Sequence, residues 1–281
     1  MKITLLGFTG LGNAVLKGLL KNKEVIVSSV FTKRYDLPYP YYDEIQMETM
    51  CSQNNLKCYI DKQINSKDVI DSLKKEQPDL IWVASFNQIL SKEVIEIPKR
   101  GIINFHPSLL PKYRGPYPDQ AALLNGESKT GVTVHYLTEE PDSGNIIYQS
   151  DLDILPDDNY STLKKNIAGL TEEIIPDVIR LFENNSIPEG IMQNEHEMSY
   201  FTKLKLESTY LERENDIITI KNKVRALNPF PGTSILIDGH RVEVNKFELL
   251  NIPDIRNDII EEEDFVDMYL DRIGIRLFKK K

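Results

Sequence analysis

Residues 101–118 read GIINFHPSLLPKYRGPYP, an apolar run that leads directly into a polar, proline-rich stretch. The first five residues are typical of a buried strand, in which side chains two positions apart point to the same side. Asn104 and His106 are therefore expected to lie together at the carboxyl end of that strand, where an amide and an imidazole face one pocket. The prolines fix φ and remove backbone donors, so the loop that follows is predicted to be rigid.

An isolated carboxylate downstream, Asp142 in EEPDSGNII, completes a set of groups suited to acyl transfer to an amine. The imidazole of His106 can take a proton from an attacking amine or give one to a leaving nitrogen. The amide of Asn104 can donate to the oxyanion of a tetrahedral intermediate. The negative charge of Asp142 can orient the imidazole and raise its pKa. This chemistry requires no covalent enzyme intermediate.

Apolar runs alternate with helix-like stretches over the first part of the chain. The pattern predicts strands at residues 3–6, 25–31, 80–84 and 101–105, with helices at 13–20 and 68–75 between them. Such alternation is typical of an α/β fold with a Rossmann-like, mostly parallel sheet. Ligands of these sheets bind beyond the carboxyl ends of the strands, which is where His106 falls.

Two further strands, at 130–136 and 145–153, are predicted to flank the Asp142 turn, and a long amphipathic helix follows from Asn159. Asp157, Asp158 or Asn159 is expected to cap this helix, and Pro176 to kink it. Short strand candidates at 217–220, 234–237 and 241–249 follow, and the acidic run at 261–264 is interpreted as a helix start. We predict a catalytic domain at 1–190 and a small β-rich domain at 195–281.

Charge and hydropathy narrow the class of protein. The 281 residues carry a net charge of −9, which disfavours a nucleic acid as the main partner because phosphate binding requires a basic face. No apolar run is long enough to span a membrane, and the N-terminal stretch lacks the features of a signal peptide. A cytoplasmic protein without a membrane partner is expected.

The sequence also argues against NAD and against a metal. GFTGLGNAV at residues 7–15 does not match the dinucleotide-binding pattern GxGxxG, and no acidic residue ends the second predicted strand. The two cysteines, Cys51 and Cys58, lack zinc-ligand spacing, and the histidines outside the proposed site are scattered along the chain.

Three segments resemble the folate-dependent formyltransferases. They are NFHPSLLPKYRG at 104–115, NGESKTGVTVHYLTEEPDSGNII at 125–147 and, more weakly, KVRALNPFPGTSILIDG at 223–239, which is similar to the start of the C-terminal domain of longer members. The resemblance implies that Asn104 stabilises the transition state, that His106 transfers the proton, and that Asp142 tunes His106. It implies 10-formyltetrahydrofolate as the formyl donor. The residues expected to grip its pterin, mainly through backbone groups, are Phe86, Asn87, Gln88, Ile89, Leu90, Thr138, Glu139, Glu140 and Pro141.

The motif constrains the molecule that accepts the formyl group less than it constrains the donor. Residues 201–281 carry fourteen Lys or Arg against fifteen Asp or Glu, so this region has no net positive charge with which to bind tRNA. YRGPYPDQ at 113–120 and the chain length are similar to the nucleotide-sugar N-formyltransferases. The expected partner is therefore a nucleotide-linked amino-deoxysugar, dTDP-linked with a 3- or 4-amino group, used for lipopolysaccharide O-antigen synthesis by a homodimer. Methionyl-tRNA and glycinamide ribonucleotide formyltransferases are the alternatives.

A sugar diphosphate would be recognised by side chains of the proline-rich loop. The expected contacts are Ser108, Lys112, Arg114 and Tyr117, with solvated loop charges as the alternative for the two cations. The tyrosines of the segment 35–42 are candidates to stack on a nucleobase, and local packing is the alternative interpretation. A binder that has lost catalysis is disfavoured because Asn104, His106 and Asp142 are all present.

Overall fold

The computed structural model describes residues 1–8, 10–34, 45–212, 214–256 and 258–280, with the backbone alone for 251–256 and 271–273. The predicted tyrosine-rich contacts at 35–42 lie outside the described residues. The chain forms two compact units. The first contains Met1–Gly115, Lys129–Asp153 and Lys164–Tyr200, and the second contains Pro116–Ser128, Ile154–Leu163 and Phe201–Lys281.

The first unit is built on a seven-stranded sheet in the order β3-β2-β1-β4-β5-β6-β7. Its strands are β1 (Lys2–Gly7), β2 (Ile26–Thr32), β3 (Cys58–Ile60), β4 (Leu80–Ala84), β5 (Ile102–His106), β6 (Lys129–Tyr136) and β7 (Ile146–Asp153). The first five run parallel, and β6 and β7 are antiparallel to their neighbours. The predicted α/β fold with a mostly parallel sheet is confirmed.

Helices connect these strands and bury apolar faces against the sheet. They are α1 (Leu11–Lys21), α2 (Met47–Gln53), α3 (Lys67–Glu76) and α4 (Lys92–Ile95). All five residues of β4 are buried, as expected for a central parallel strand covered on both faces. One cluster of the core packs α3 against β4 and β5 through Leu73, Val83 and Ile102. The sheet therefore provides a stiff base for the loops at the ends of β4 and β5.

The long helix α6 spans Tyr160–Leu181 and contains Pro176. Of the three predicted caps, Asn159 is the one that closes its first turn. Its Oδ1 accepts hydrogen bonds from the backbone N–H groups of Ser161 at 2.9 Å and Thr162 at 3.1 Å. These bonds satisfy two of the donors that a helix start leaves without intrahelical partners.

The second unit combines α5 (Pro118–Leu124) and α7 (Ile217–Leu227) with a five-stranded sheet in the order β11-β12-β10-β9-β8. Its strands are β8 (Tyr210–Leu211), β9 (Thr233–Ile237), β10 (His240–Arg256), β11 (Ile259–Glu261) and β12 (Phe265–Lys279). Ile220 and Val224 of α7 pack into the core of this unit with Val244 and Leu277. This curled sheet gives the C-terminal region its β-rich character.

Two local predictions in this unit are wrong. Residues 217–220 form the first turn of α7 rather than a strand, because Asp216 caps the helix by accepting from the Thr219 N–H at 2.7 Å and the apolar residues recur at helical spacing. The acidic run at 261–264 is not a helix start: Glu261 ends β11, and residues 262–264 connect it to β12. Within the described residues, no helix is long and apolar enough to cross a membrane.

Candidate active site

The pairing of β5 with β6 places the first two groups of the site. Asn104 lies directly opposite His135 in this antiparallel ladder, so the two side chains share one face of the sheet. The Nδ2 of Asn104 is 3.2 Å from the Nε2 of His135. His106, two residues beyond Asn104, projects to the same side. The side chains of His106 and His135 are almost fully buried.

Asp142 joins the three side chains, although it is 38 positions from Asn104 in the sequence. Its Oδ1 lies 3.4 Å from the Nδ2 of Asn104, 3.5 Å from the Nδ1 of His106 and 3.6 Å from the Nε2 of His135. Its Oδ2 accepts the backbone N–H of Gly115 at 2.9 Å. The structure thus brings together the three residues that the sequence nominated and adds His135.

The surroundings of Asp142 keep it ionised. Burial raises the pKa of its carboxyl group, whereas the neighbouring imidazoles of His135 and His106 and the N–H of Gly115 lower it. The lowering contributions prevail, and the pKa of Asp142 falls from 3.8 to about 2. At neutral pH the site therefore holds a fixed negative charge between two imidazoles.

His106 has an acceptor near each ring nitrogen. Its Nε2 is 2.8 Å from the carbonyl oxygen of Tyr113, which can only accept, so Nε2 carries a hydrogen. Its Nδ1 faces the Asp142 carboxylate at 3.5 Å. The imidazolium form supplies a donor to both oxygens, whereas the neutral form supplies only one. The geometry suits a group that holds a proton for delivery.

The first predicted folate loop, residues 86–90, follows β4 and is fixed by the segment before α3. The Oε1 of Gln88 accepts the N–H of Ile64 at 2.8 Å, and its Nε2 donates to the Lys62 carbonyl at 2.9 Å. Asn65 donates to the carbonyl of Ile89 at 2.8 Å. The side chain of Ile89 is 91% exposed, so this loop presents a large apolar side chain to solvent on a constrained backbone. Phe86 is half-buried, Asn87 is exposed and Leu90 is buried.

The second predicted folate loop, residues 138–142, closes on itself. The hydroxyl groups of Thr138 and Ser143 both donate to the Glu140 carbonyl, each at 2.9 Å. Glu139 and Pro141 are exposed. Asp142 itself has a φ of +54°, a conformation that Asp tolerates better than most residues. The loop is thereby shaped to aim the Asp142 carboxylate at β5.

The residues predicted to bind a sugar diphosphate occupy different environments. Ser108 is fully buried and donates to the Lys112 carbonyl at 2.8 Å. Arg114 is 2% exposed, and its guanidinium donates to Gln193 and Glu195. Lys112 is exposed. Tyr117 belongs to the second unit, where it precedes α5 with a φ of +58°.

Gln193 is a structural link that the sequence did not reveal. It is 5% exposed, and its Oε1 accepts from Arg114 at 2.9 Å. Its Nε2 donates to the carbonyl oxygens of Asp142 and Gly144, both at 2.8 Å. One side chain thus ties the proline-rich loop to the Asp142 turn. Gln193 lies in IMQNE at 191–195, between two apolar and two polar residues, a context that does not mark it as buried.

His135 was not among the predicted site residues, because it was considered only as a metal ligand and it lacks metal-ligand spacing. The signal lies in the alternation of GVTVHY at 131–136: Val132 and Val134 occupy one face, and Thr133 and His135 the other. Among the residues that the structure describes, no cluster of His, Cys, Asp or Glu forms a candidate metal site.

Fold and site together define an enzyme of the formyltransferase type. Two solved structures share this fold over nearly the whole length of both chains. A sugar 3N-formyl transferase, WlaRD, solved with dTDP and 5-N-formyl-THF, aligns with a TM-score of 0.73 and 24% identity over 99% of this chain and 97% of that one. The N-formyltransferase from Helicobacter canadensis, in complex with folinic acid and dTDP-3-aminofucose, aligns with a TM-score of 0.74 and 23% identity over the full length of both chains.

The sequence relationship is to the formyl transferase family, whose model matches residues 1–179, and the chain belongs to that family. A methionyl-tRNA formyltransferase from Thermotoga neapolitana is 31% identical over 98% of this chain and 85% of its own length. A second, from Syntrophus aciditrophicus, is 37% identical over 62% of this chain and 56% of its own length. The protein is a folate-dependent formyltransferase.

These relatives overturn one expectation. The amino-sugar acceptor inferred from chain length and YRGPYPDQ is wrong as the main interpretation, because the relatives at 30–37% identity carry the name methionyl-tRNA formyltransferase. The sugar enzymes share the fold at 23–24% identity. The charge balance of residues 201–281 does not exclude tRNA as the acceptor, because binding to tRNA depends on the local arrangement of charge and not on a total.

Proposed function

We propose that this protein transfers the formyl group of 10-formyltetrahydrofolate to the amino group of methionyl-tRNA. The observation that carries the proposal is the extent of the relationship: 31% identity to a methionyl-tRNA formyltransferase runs through 98% of this chain. It therefore includes the C-terminal region as well as the site. The donor is supported by family membership and by the formyl-folate compounds named with related structures.

The site supports the chemistry of the step. The acceptor nitrogen attacks the formyl carbon, and the bond between that carbon and N10 of the folate breaks. Negative charge develops on the formyl oxygen, and the Asn104 amide is a neutral donor of this site that can offer it a hydrogen bond. Mutational losses of such donors are worth roughly 3–4 kcal/mol of barrier.

His106 and Asp142 handle the proton. The attacking amine loses one, and the departing N10 gains one, so a single imidazole can serve both transfers. Ionised Asp142, 3.5 Å from the Nδ1 of His106, favours the cationic form of the ring. The backbone N–H of Gly115 holds the carboxylate in place during the reaction. The folate itself would lie against the loops 86–90 and 138–142. Hydrogen bonds to the segment 62–65 hold the first loop, and hydrogen bonds within the turn hold the second.

The test is a comparison of acceptors with one enzyme preparation. Purified protein and 10-formyltetrahydrofolate are incubated with methionyl-tRNA, with dTDP-linked 3-amino and 4-amino sugars, or with glycinamide ribonucleotide. Mass spectrometry then measures formyl incorporation. A gain of one formyl group on the methionine of the tRNA, formed much more slowly with Asn104→Ala, supports the proposal. Formylation of a sugar or of the ribonucleotide, with none on methionyl-tRNA, would overturn it.

A further inference from the structure

His135 contacts Asn104 but has no assigned part in the reaction. The residue is 1% exposed and lies opposite Asn104 across the β5–β6 ladder. Its Nδ1 is 2.8 Å from the carbonyl oxygen of Tyr136, and its Nε2 is 3.2 Å from the Nδ2 of Asn104. Both ring nitrogens are therefore within hydrogen-bond distance of a polar partner.

The partners fix where the hydrogens lie. A carbonyl oxygen can only accept, so the Nδ1 of His135 must be the protonated nitrogen. The orientation of the Asn104 amide is fixed separately by Asp142. Only the NH₂ end of an amide is compatible with a carboxylate oxygen, and the Nδ2 of Asn104 lies 3.4 Å from the Oδ1 of Asp142. The Nε2 of His135 lies 3.2 Å from this amide nitrogen and 3.6 Å from Oδ1 of Asp142, so the amide is its nearer partner and Nε2 is assigned as the acceptor of an amide hydrogen.

We propose that His135 is a positioning residue for formyl transfer, which as the neutral Nδ1–H tautomer accepts a hydrogen bond from the Asn104 amide and holds it in the orientation that serves the oxyanion. One N–H of the amide is directed at His135 at 3.2 Å. The other faces Asp142 at 3.4 Å, which is longer than a normal hydrogen bond, and it is the one that a developing oxyanion can take. The kinetic part of this inference rests on the proposed function, because turnover is measured with methionyl-tRNA.

A double-mutant cycle tests whether His135 acts through Asn104. The four proteins are wild type, His135→Phe, Asn104→Ala and the double variant, assayed for kcat and for KM with respect to the formyl donor. His135→Phe removes the acceptor and keeps a flat ring, so we expect kcat to fall roughly 3- to 10-fold, the effect of one lost hydrogen bond, with KM unchanged within about twofold. In the Asn104→Ala background, His135→Phe should have no further effect on kcat.

His135→Gln provides the conservative rescue. The carbonyl oxygen of the Gln side chain can accept from the Asn104 amide, so this variant should recover most of the lost kcat. Equal losses from His135→Phe with and without Asn104, or no loss at all, would overturn the inference. Equal losses in the Phe and Gln variants would also overturn it.

A measurement on the wild-type protein does not depend on the acceptor. The ¹⁵N chemical shifts of the His135 ring distinguish a protonated Nδ1 from a protonated Nε2 in solution. We expect the Nδ1–H tautomer, and the Nε2–H tautomer or a doubly protonated ring at neutral pH would contradict the assignment. If the wild type shows no turnover with methionyl-tRNA, the proposed acceptor fails, and the ring shifts still decide the hydrogen-bond assignment.

Discussion

The backbone N–H of Gly115 donates to Oδ2 of Asp142 at 2.9 Å, which connects the end of the proline-rich loop to the turn beyond β6. The other carboxylate oxygen faces Asn104, His106 and His135. The carboxylate is thus the common partner of groups from three chain segments. The arrangement of these groups therefore depends on both the negative charge and the position of the Asp142 carboxylate.

The ionisation of Asp142 should make stability depend on pH in acid. The pKa of the group is lowered in the folded protein from 3.8 to about 2, so the charged form stabilises the fold. That stabilisation is fully present above about pH 4 and is lost as the pH falls toward 2, and it amounts to about 2 kcal/mol. Urea unfolding of Asp142→Asn should therefore show a shallower loss of stability between pH 4 and 2 than wild type.

Asp153→Asn is the matched control for this experiment. The side chain of Asp153 is 71% exposed at the end of β7, so its replacement should leave the acid slope unaltered. An identical slope for Asp142→Asn and wild type would show that the carboxylate is not the group that links folding to pH.

Asn104→Ala tests the stabilisation of the oxyanion. The substitution removes the amide that lies between His135 and Asp142 but leaves the β5 backbone in its ladder. We expect kcat to fall roughly 10²–10³-fold with little change in KM, because the interaction strengthens only as charge develops. Steady-state kinetics with methionyl-tRNA measures both constants. A rise in KM at constant kcat would make Asn104 a binding residue instead.

Gln193→Leu tests the link between the Asp142 turn and the proline-rich loop. The change leaves the carbonyl oxygens of Asp142 and Gly144 without their donor and Arg114 without one acceptor in a buried location. Unsatisfied buried groups cost about 1–3 kcal/mol each, so the free energy of unfolding should fall by at least about 2 kcal/mol. Loss of the link should also lower kcat.

Glu195→Gln separates this effect from the loss of the neighbouring ion pair. Glu195 contacts the same guanidinium, but its side chain is 62% exposed. The amide oxygen of a Gln at this position can still accept from the buried guanidinium of Arg114, so this variant should lose less stability in urea unfolding than Gln193→Leu. If the two variants were equally destabilised, the ion pair rather than Gln193 would hold the two segments.

The sheet and the proximity of the three nominated residues, whose catalytic roles stay predictions, could be predicted because their signals are local. Period-two side-chain alternation placed Asn104 and His106 on one side of β5, and the PDSG turn identified Asp142. The contribution of Gln193 could not be predicted, because it reaches Asp142 across 51 positions of sequence and depends on tertiary packing. His135 required the β5–β6 register, which a sequence pattern does not fix.

Two of the wrong predictions, the strand at 217–220 and the acceptor, have different physical causes. The start of α7 reads as a strand because Ile217, Ile218 and Ile220 are β-branched, yet the Asp216 cap and the buried face of the helix outweigh that weak propensity. The acceptor was misjudged from charge totals and length. Acceptor choice depends on the shape and local charge of surfaces that a composition does not describe.

Gly144 leaves no space for a side chain in the turn that carries Asp142. A Cβ on Gly144 would lie 1.9 Å from the carbonyl oxygen of Tyr136, in a hairpin where the Tyr136 N–H bonds to Asn145 at 3.0 Å. The backbone must move to accept any side chain, and the Gln193 bonds to Asp142 and Gly144 move with it. Gly144→Ala should lower the free energy of unfolding by about 1–3 kcal/mol and reduce kcat through displacement of Asp142.

Gly169→Ala is the opposite case and serves as the control. Gly169 is exposed within α6, and a Cβ there meets nothing within 4 Å. Because alanine restricts the unfolded chain and favours a helix, this variant should gain about 0.5–1 kcal/mol with unchanged kcat. Thermal unfolding and steady-state kinetics of both variants check the pair. A Gly144→Ala enzyme as stable and active as wild type would mean that the turn can relax without moving the carboxylate, and that the tight hairpin is not required to place Asp142.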